Sequence, residues 1–164
     1  MITSFDSLYN ALTTRRQTLQ LIKLWGVLDL LPSMVPLGGA FTHFTNLRSL
    51  EIDDMVLMGI PDDLDPQNLH EGWYLWTIAK PRRRLTSMLP PTLESLYLNS
   101  QFAILCDHTE FLWDFVDDLA QVPLLRVFGC RGMLPKAFVN LSATMSKRGI
   151  ELQTSTGNDV YKRY

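Results

Sequence analysis

Four stretches of the chain repeat one spacing of apolar residues, a gap of three followed by a gap of two. TLQLIKLWGV sets out Leu19, Ile22 and Leu24 in this order, and TNLRSLEIDDM sets out Leu47, Leu50 and Ile52. PTLESLYLNSQ gives Leu93, Leu96 and Leu98, and PLLRVFGCRGM gives Leu125, Phe128 and Cys130. A weaker fifth copy, KRGIELQTS, keeps Ile150 and Leu152. The gap of two places two side chains on one face of a strand, because side chains alternate along extended backbone. The gap of three ahead of it fits neither an alternating strand nor an amphipathic helix. The first apolar residue of each triplet therefore belongs to the turn that enters the strand. One such unit cannot bury its own apolar face, and at least three stacked copies are needed for a continuous core. Identical short strands stacked in one direction need a long return connection between them. The expected class is α/β: an irregular leucine-rich-repeat solenoid, with short parallel strands on the concave side and helices or loops on the convex side.

The triplets begin at residues 19, 47, 93 and 125, so successive copies are 28, 46 and 32 residues apart. A leucine-rich repeat runs about 20 to 29 residues, so the second copy carries an insertion over about residues 57–88. The slot after each triplet, where such repeats place Asn or Cys to satisfy the turn backbone, holds Val27, Met55, Gln101 and Met133 instead. Another group must do that work. Helical signals fall between the strands. HTEFLWDFVDDLAQ puts Phe111, Leu112, Phe115, Val116 and Leu119 on one face, with Thr109 as cap and Pro123 as stop. LPKAFVNLSATMSKRG has Pro135 at its start, Phe138, Leu141 and Met145 inward, and Gly149 past its end. FDSLYNALTTRRQ sets Phe5, Leu8, Tyr9 and Leu12 to one side and is positioned to cap the first strand. Residues 28–44, with Pro32, Pro36, Gly38 and Gly39, predict broken turns, and Asp65-Pro66 opens a helix with Leu69, Trp73 and Trp76 on one face. Residues 1–164 thus read as a single domain of about five irregular repeats, a length that buries a sizeable core.

FTNLRSLEIDDM, MLPPTLESLYLNS and VPLLRVFGC, with a long loop before the LPPTLESLYL element, resemble the repeat region of fungal F-box/leucine-rich-repeat proteins. The resemblance covers about residues 18–152. It implies a solenoid whose repeats recognise a protein substrate for ubiquitin ligation, while an F-box docks on the ligase adaptor. No F-box pattern is present in these residues, so nothing adaptor-binding is carried over. The chain is expected to be a C-terminal receptor half, a divergent relative or a truncated gene model.

The other motifs carry less. CDHTE clusters Cys106, Asp107, His108 and Glu110, but His43 and His70 lie in other copies and the ligand spacing of a zinc site is lacking; a polar helix start is expected instead, and no metal. Cys106 has no local signature of a thiol nucleophile. KPRRR, residues 80–84, reads as a solvated loop in preference to a nuclear-import signal or a phosphate-binding patch. Asn140-Leu-Ser142 matches a glycosylation acceptor by spelling only, and its use is not expected, since nothing in these residues directs the chain to secretion. Trp73, Tyr74 and Trp76 at helical spacing fit a core better than a binding platform. There is no glycine-rich phosphate loop and no serine elbow. No cofactor and no enzymatic activity are expected.

With 46% hydrophobic residues, 20% charged and a net charge of −2, the chain has the balance of a globular protein. Neither a nucleic-acid partner, which needs a basic surface, nor a membrane span of the required length is indicated. MITSFDSLYNALTTRRQ lacks a basic segment followed by an apolar one, so an intracellular, cytoplasmic or nuclear, protein is expected. A protein partner remains. Between the last two apolar residues of each copy stand Lys23, Glu51, Tyr97, Gly129 and Glu151, and directly after them Trp25, Asp53, Asn99, Arg131 and Gln153. By alternation these point away from the core. Trp, Tyr and Arg are enriched at interface hot spots, so the partner-binding residues are expected to be Trp25, Glu51, Asp53, Tyr97, Asn99 and Arg131 on the concave face. The rival expectation is a solenoid remnant with a structural role, whose polar face only keeps the chain in solution.

Cys130 falls at an inward strand position and Cys106 in a connection, so the two are expected to stay unbridged. Alkylation of the chain under non-reducing denaturing conditions should label both thiols. A stable two-dalton deficit in the intact mass would contradict this.

Overall fold

A computed structural model describes residues 5–24, 41–53, 56–57, 84–99, 110–131 and 135–153. Five strands, β1 (Leu21–Leu24), β2 (Ser49–Asp53), β3 (Ser95–Asn99), β4 (Val127–Arg131) and β5 (Glu151–Gln153), form one sheet. The sheet order is the chain order, and every neighbouring pair is parallel. The register lines up the triplets: Ile22, Leu50, Leu96, Phe128 and Leu152 form one column across the sheet, and Leu24, Ile52, Leu98 and Cys130 a second. Ile22, Leu50, Ile52, Leu96, Leu98, Phe128 and Cys130 are all buried. The alternation read from the sequence is therefore the alternation of the sheet, and its parallel α/β character follows.

The first residue of each triplet sits where the spacing puts it, in the turn. Leu47, Leu93 and Leu125 are buried, and each donates its backbone N–H to the carbonyl three residues earlier, that of Phe44, Pro90 or Val122. The next residue along each turn then links the copies. The Gln20 carbonyl accepts N–H groups from Arg48 and Ser49, the Arg48 carbonyl from Glu94 and Ser95, and the Glu94 carbonyl from Arg126 and Val127. Buried backbone polar groups must be paired, and this series of shared carbonyls pairs those at the strand entrances. Thr92 adds a side-chain link, its hydroxyl donating to the Leu47 carbonyl at 2.8 Å. The slots at Val27, Met55, Gln101 and Met133, where a substitute for the usual Asn was expected, lie outside the described residues.

Helices cover the apolar side of the sheet. α1 (Phe5–Thr14) precedes β1, with Leu12 partly buried against the core. α2 (Glu110–Asp117) places Phe115 and Val116 in the core, and the Phe115 ring lies 5.0 Å from that of Phe128 on β4. The apolar stripe was expected to run as one helix through Gln121. Instead the helix ends at Asp117 and the chain continues as a 3-10 turn, Leu119–Gln121, which still buries Leu119. Phe41 and Phe44, whose rings are 5.6 Å apart, and Leu85 and Met88 of another 3-10 turn, Leu85–Met88, join this core. Trp73 and Trp76 lie outside the described residues, as does the insertion between residues 58 and 83. Among the described residues no helix is long and apolar enough to cross a membrane.

α3 (Pro135–Lys147) begins at the expected proline and stops two residues before the expected glycine. Gly149 has φ 72°, the left-handed conformation that glycine adopts without a Cβ penalty. Its N–H reaches the Ser146 carbonyl at 3.0 Å, and that of Ile150 reaches the Met145 carbonyl at 3.0 Å, the paired bonds of a Schellman motif. That motif corrects the reading of the fifth copy. Ile150 was aligned with Phe128 and Leu152 with Cys130, but in the sheet Leu152 pairs with Phe128. Ile150 is buried as the apolar residue of the helix stop, beside Met145, and the strand begins one residue later.

The buried columns set the stability. Leu96→Ala, at a position with no exposure on the central strand, should cost about 2–5 kcal/mol. Leu21→Ala, at an outward position 52% exposed, should stay within about 0.5 kcal/mol. Chemical denaturation of the two variants measures both.

Candidate functional site

The outward side chains form three rows across the strands. The middle row is Lys23, Glu51, Tyr97, Gly129 and Gln153, the entrance row includes Ser49, Ser95, Val127 and Glu151, and the exit row holds Asp53, Asn99 and Arg131. Four of the six expected partner-binding residues are thus brought together as read: Glu51 and Tyr97 side by side, and Asn99 with Arg131 beyond them. Asp53 occupies its expected row but is only 3% exposed. It accepts a hydrogen bond from the Asn99 amide, so it organises the face and offers little surface to a partner. Trp25 lies outside the described residues.

Most polar groups on this face are bonded to one another. Lys23 Nζ meets Glu51 Oε2 at 2.7 Å, with Lys23 well exposed and Glu51 nearly covered. The Ser95 hydroxyl donates to Ser49 Oγ at 2.9 Å. Tyr97 donates its phenol to Gln153 Oε1 at 2.8 Å, and Gln153 Nε2 donates to Glu151 Oε1 at 2.7 Å. The Tyr97 bond spans β4 entirely, and Gly129 is what allows it. A Cβ on Gly129 would lie 2.2 Å from Tyr97 Cδ1 and 2.7 Å from Cε1. The ring therefore lies over bare backbone, tying the edge strand β5 to the central strand β3. The sequence held a signal for this, since a lone glycine inside a strand marks a close approach. Gln153 could not be placed so from sequence, because the fifth copy is two residues out of the expected register.

Burial is the main cause that raises the Tyr97 phenol above its ordinary pKa of 10.0; Glu151 and then Glu51 add to it, and Lys23 opposes them. The phenol therefore stays neutral and remains a donor to Gln153 through the physiological range.

Elsewhere the candidates are of another kind. Of KPRRR only Arg84 is among the described residues, and it is committed to Asp118 at 2.8 Å, with Asp114 and Asp117 close by. Of CDHTE only Glu110 is described, as the first residue of α2. Among the described residues no group of three or more His, Cys, Asp or Glu is placed to hold a metal ion. An open depression lined by Thr13 to Thr18 is formed by one continuous stretch of chain. Its threonine hydroxyls are bonded to the Asn10 and Arg15 carbonyls within that stretch.

Two substitutions test this geometry. Gly129→Ala should displace the Tyr97 ring, break its bond to Gln153 and cost about 1–3 kcal/mol. Because folding raises the phenol pKa, the folded chain holds its proton more tightly than the unfolded one. The stability linked to that proton is complete below the unfolded value of about 10 and is lost as pH rises through the folded value. Tyr97→Phe should therefore lose less stability than the parent chain as the pH is raised above 10. Parallel pH profiles of the two would refute the burial of this phenol.

Comparison with protein-family models, curated proteins and solved structures finds no match, so the reading of this face rests on its own geometry.

Proposed function

We propose that the chain is a non-enzymatic protein–protein interaction module, an irregular leucine-rich-repeat solenoid that holds a protein partner on its concave polar face. In this reading it serves as the substrate-recognition part of an F-box type ubiquitin-ligase receptor. One observation carries the proposal. Five parallel strands in chain order align one outward side chain from each copy into continuous rows, and the rows mix an aromatic ring, an amide and a guanidinium. Repeat architectures use such broad surfaces for recognition, and these are the residue types of interface hot spots.

A second reading has its own support. The bonds from Lys23 to Glu51, from Asn99 to Asp53 and from Tyr97 through Gln153 to Glu151 satisfy the face internally. A solenoid remnant with a structural role, needing only a solvated outer surface, would look the same.

Alanine substitution separates the two. The immobilised full chain is used to capture protein from a cell extract, and the captured protein is then titrated against Trp25→Ala, Tyr97→Ala and Arg131→Ala. Each should weaken binding by about 1–3 kcal/mol, with the melting transition close to the parent's in Trp25→Ala and Arg131→Ala and lowered in Tyr97→Ala, which also loses the bond to Gln153. Binding that ignores all three substitutions, or no capture at all, would favour the remnant.

A further inference from the structure

Arg131 differs from the other cations of the polar face. Lys23 is closed by Glu51 at 2.7 Å, and at the strand entrances Arg48 is closed by Glu94 at 3.0 Å. Arg131 makes no ion pair among the described residues, yet it is half-buried, unlike the exposed Arg126 at the other end of β4. Its described neighbours on the face are neutral: Asn99 across the strand pair, and Gly129 two residues before it on the same strand. The closest acid by register, Asp53, is held by Asn99 and buried. A partly desolvated guanidinium with no counter-charge is a site for a carboxylate, which it grips through two parallel hydrogen bonds. Beside it the Tyr97 ring, fixed over Gly129 by its bond to Gln153, offers an apolar surface held in one orientation.

Resting on the interaction-module reading, we propose that Arg131 anchors a single acidic side chain, Asp or Glu, of an extended peptide segment of the partner protein. The segment crosses β3 and β4 with apolar atoms against Tyr97. Charge selects this occupant. Glu51 and Glu151 flank the ring closely enough to act on its phenol, so a run of negative charge such as a polyphosphate backbone is repelled. One carboxylate directed at Arg131 is not.

The test uses the full chain, fluorescently labelled, on three bead-bound heptapeptide libraries with blocked ends. The libraries are randomised at the outer positions and carry Glu, Gln or Lys at the centre. The Glu library should retain the chain at least about tenfold better than the Gln library, as expected for one charge-assisted contact. Arg131→Gln should abolish that preference and Arg126→Gln should preserve it, both with unchanged melting. Equal retention on the Glu and Gln libraries, with loss in Tyr97→Ala, would overturn the acidic anchor and leave the interaction module standing. Retention on no library would count against both. A Glu preference that survives Arg131→Gln would place the contact elsewhere and overturn the proposal. So would self-association of the chain in sedimentation that Arg131→Gln disperses, since a second copy would then occupy the face.

Discussion

Everything described in this protein depends on the burial of one face of a parallel sheet. Ile22, Leu50, Leu96, Phe128 and Leu152 lie in one column because each strand is paired to the next without slippage. A slip of one residue would turn every such side chain to water, and each buried leucine contributes on the order of 2 kcal/mol through burial alone. That cost fixes the register, and the register in turn places the outward rows. The polar face is thus a by-product of the core, ordered by residues that never touch it.

The same logic explains how the copies join at the strand entrances. The carbonyls of Gln20, Arg48 and Glu94 each take two N–H groups from the following copy. Backbone does this work whatever the side chain, which is why Gln, Arg and Glu occupy equivalent positions. The freedom left to those side chains is used once, in the Arg48–Glu94 pair at 3.0 Å between largely exposed groups. An exposed pair of this kind contributes at most about 1 kcal/mol, so it tunes the joint between copies and does not create it.

On the polar face the side chains differ in how far they are already engaged by one another. Lys23, Glu51, Asp53 and Glu151 are engaged by neighbours, and a partner would have to displace bonds already made. Tyr97 is held at its hydroxyl and rests its ring on Gly129, and the part of the ring that stays exposed can be covered without breaking a bond. Arg131 makes no ion pair among the described residues. The face is accordingly uneven, and its least engaged side chains lie over β3 and β4 among the described residues.

By itself the sequence determined the first four strands, their inward residues, the turn leucines and the two ends of α3. Each of these follows from spacing within a dozen residues: a gap of two for a strand face, a gap of three for the turn, proline and glycine for the helix limits. The same spacing placed Glu51, Tyr97, Asn99 and Arg131 on one face before any pairing was known. Only the tertiary structure decided that Asp53 is buried, that Ile150 closes a helix stop and does not line the sheet, and that Tyr97 crosses Gly129 to reach Gln153. These depend on which residue of one copy meets which residue of another. Ile150 and Leu152 keep the gap of two that marks a strand, and nothing local distinguishes a strand residue from the apolar residue of a Schellman motif. The distinction is made by Met145 and Phe128, which compete for contacts with Ile150 and Leu152 only once the helix has folded back against the sheet.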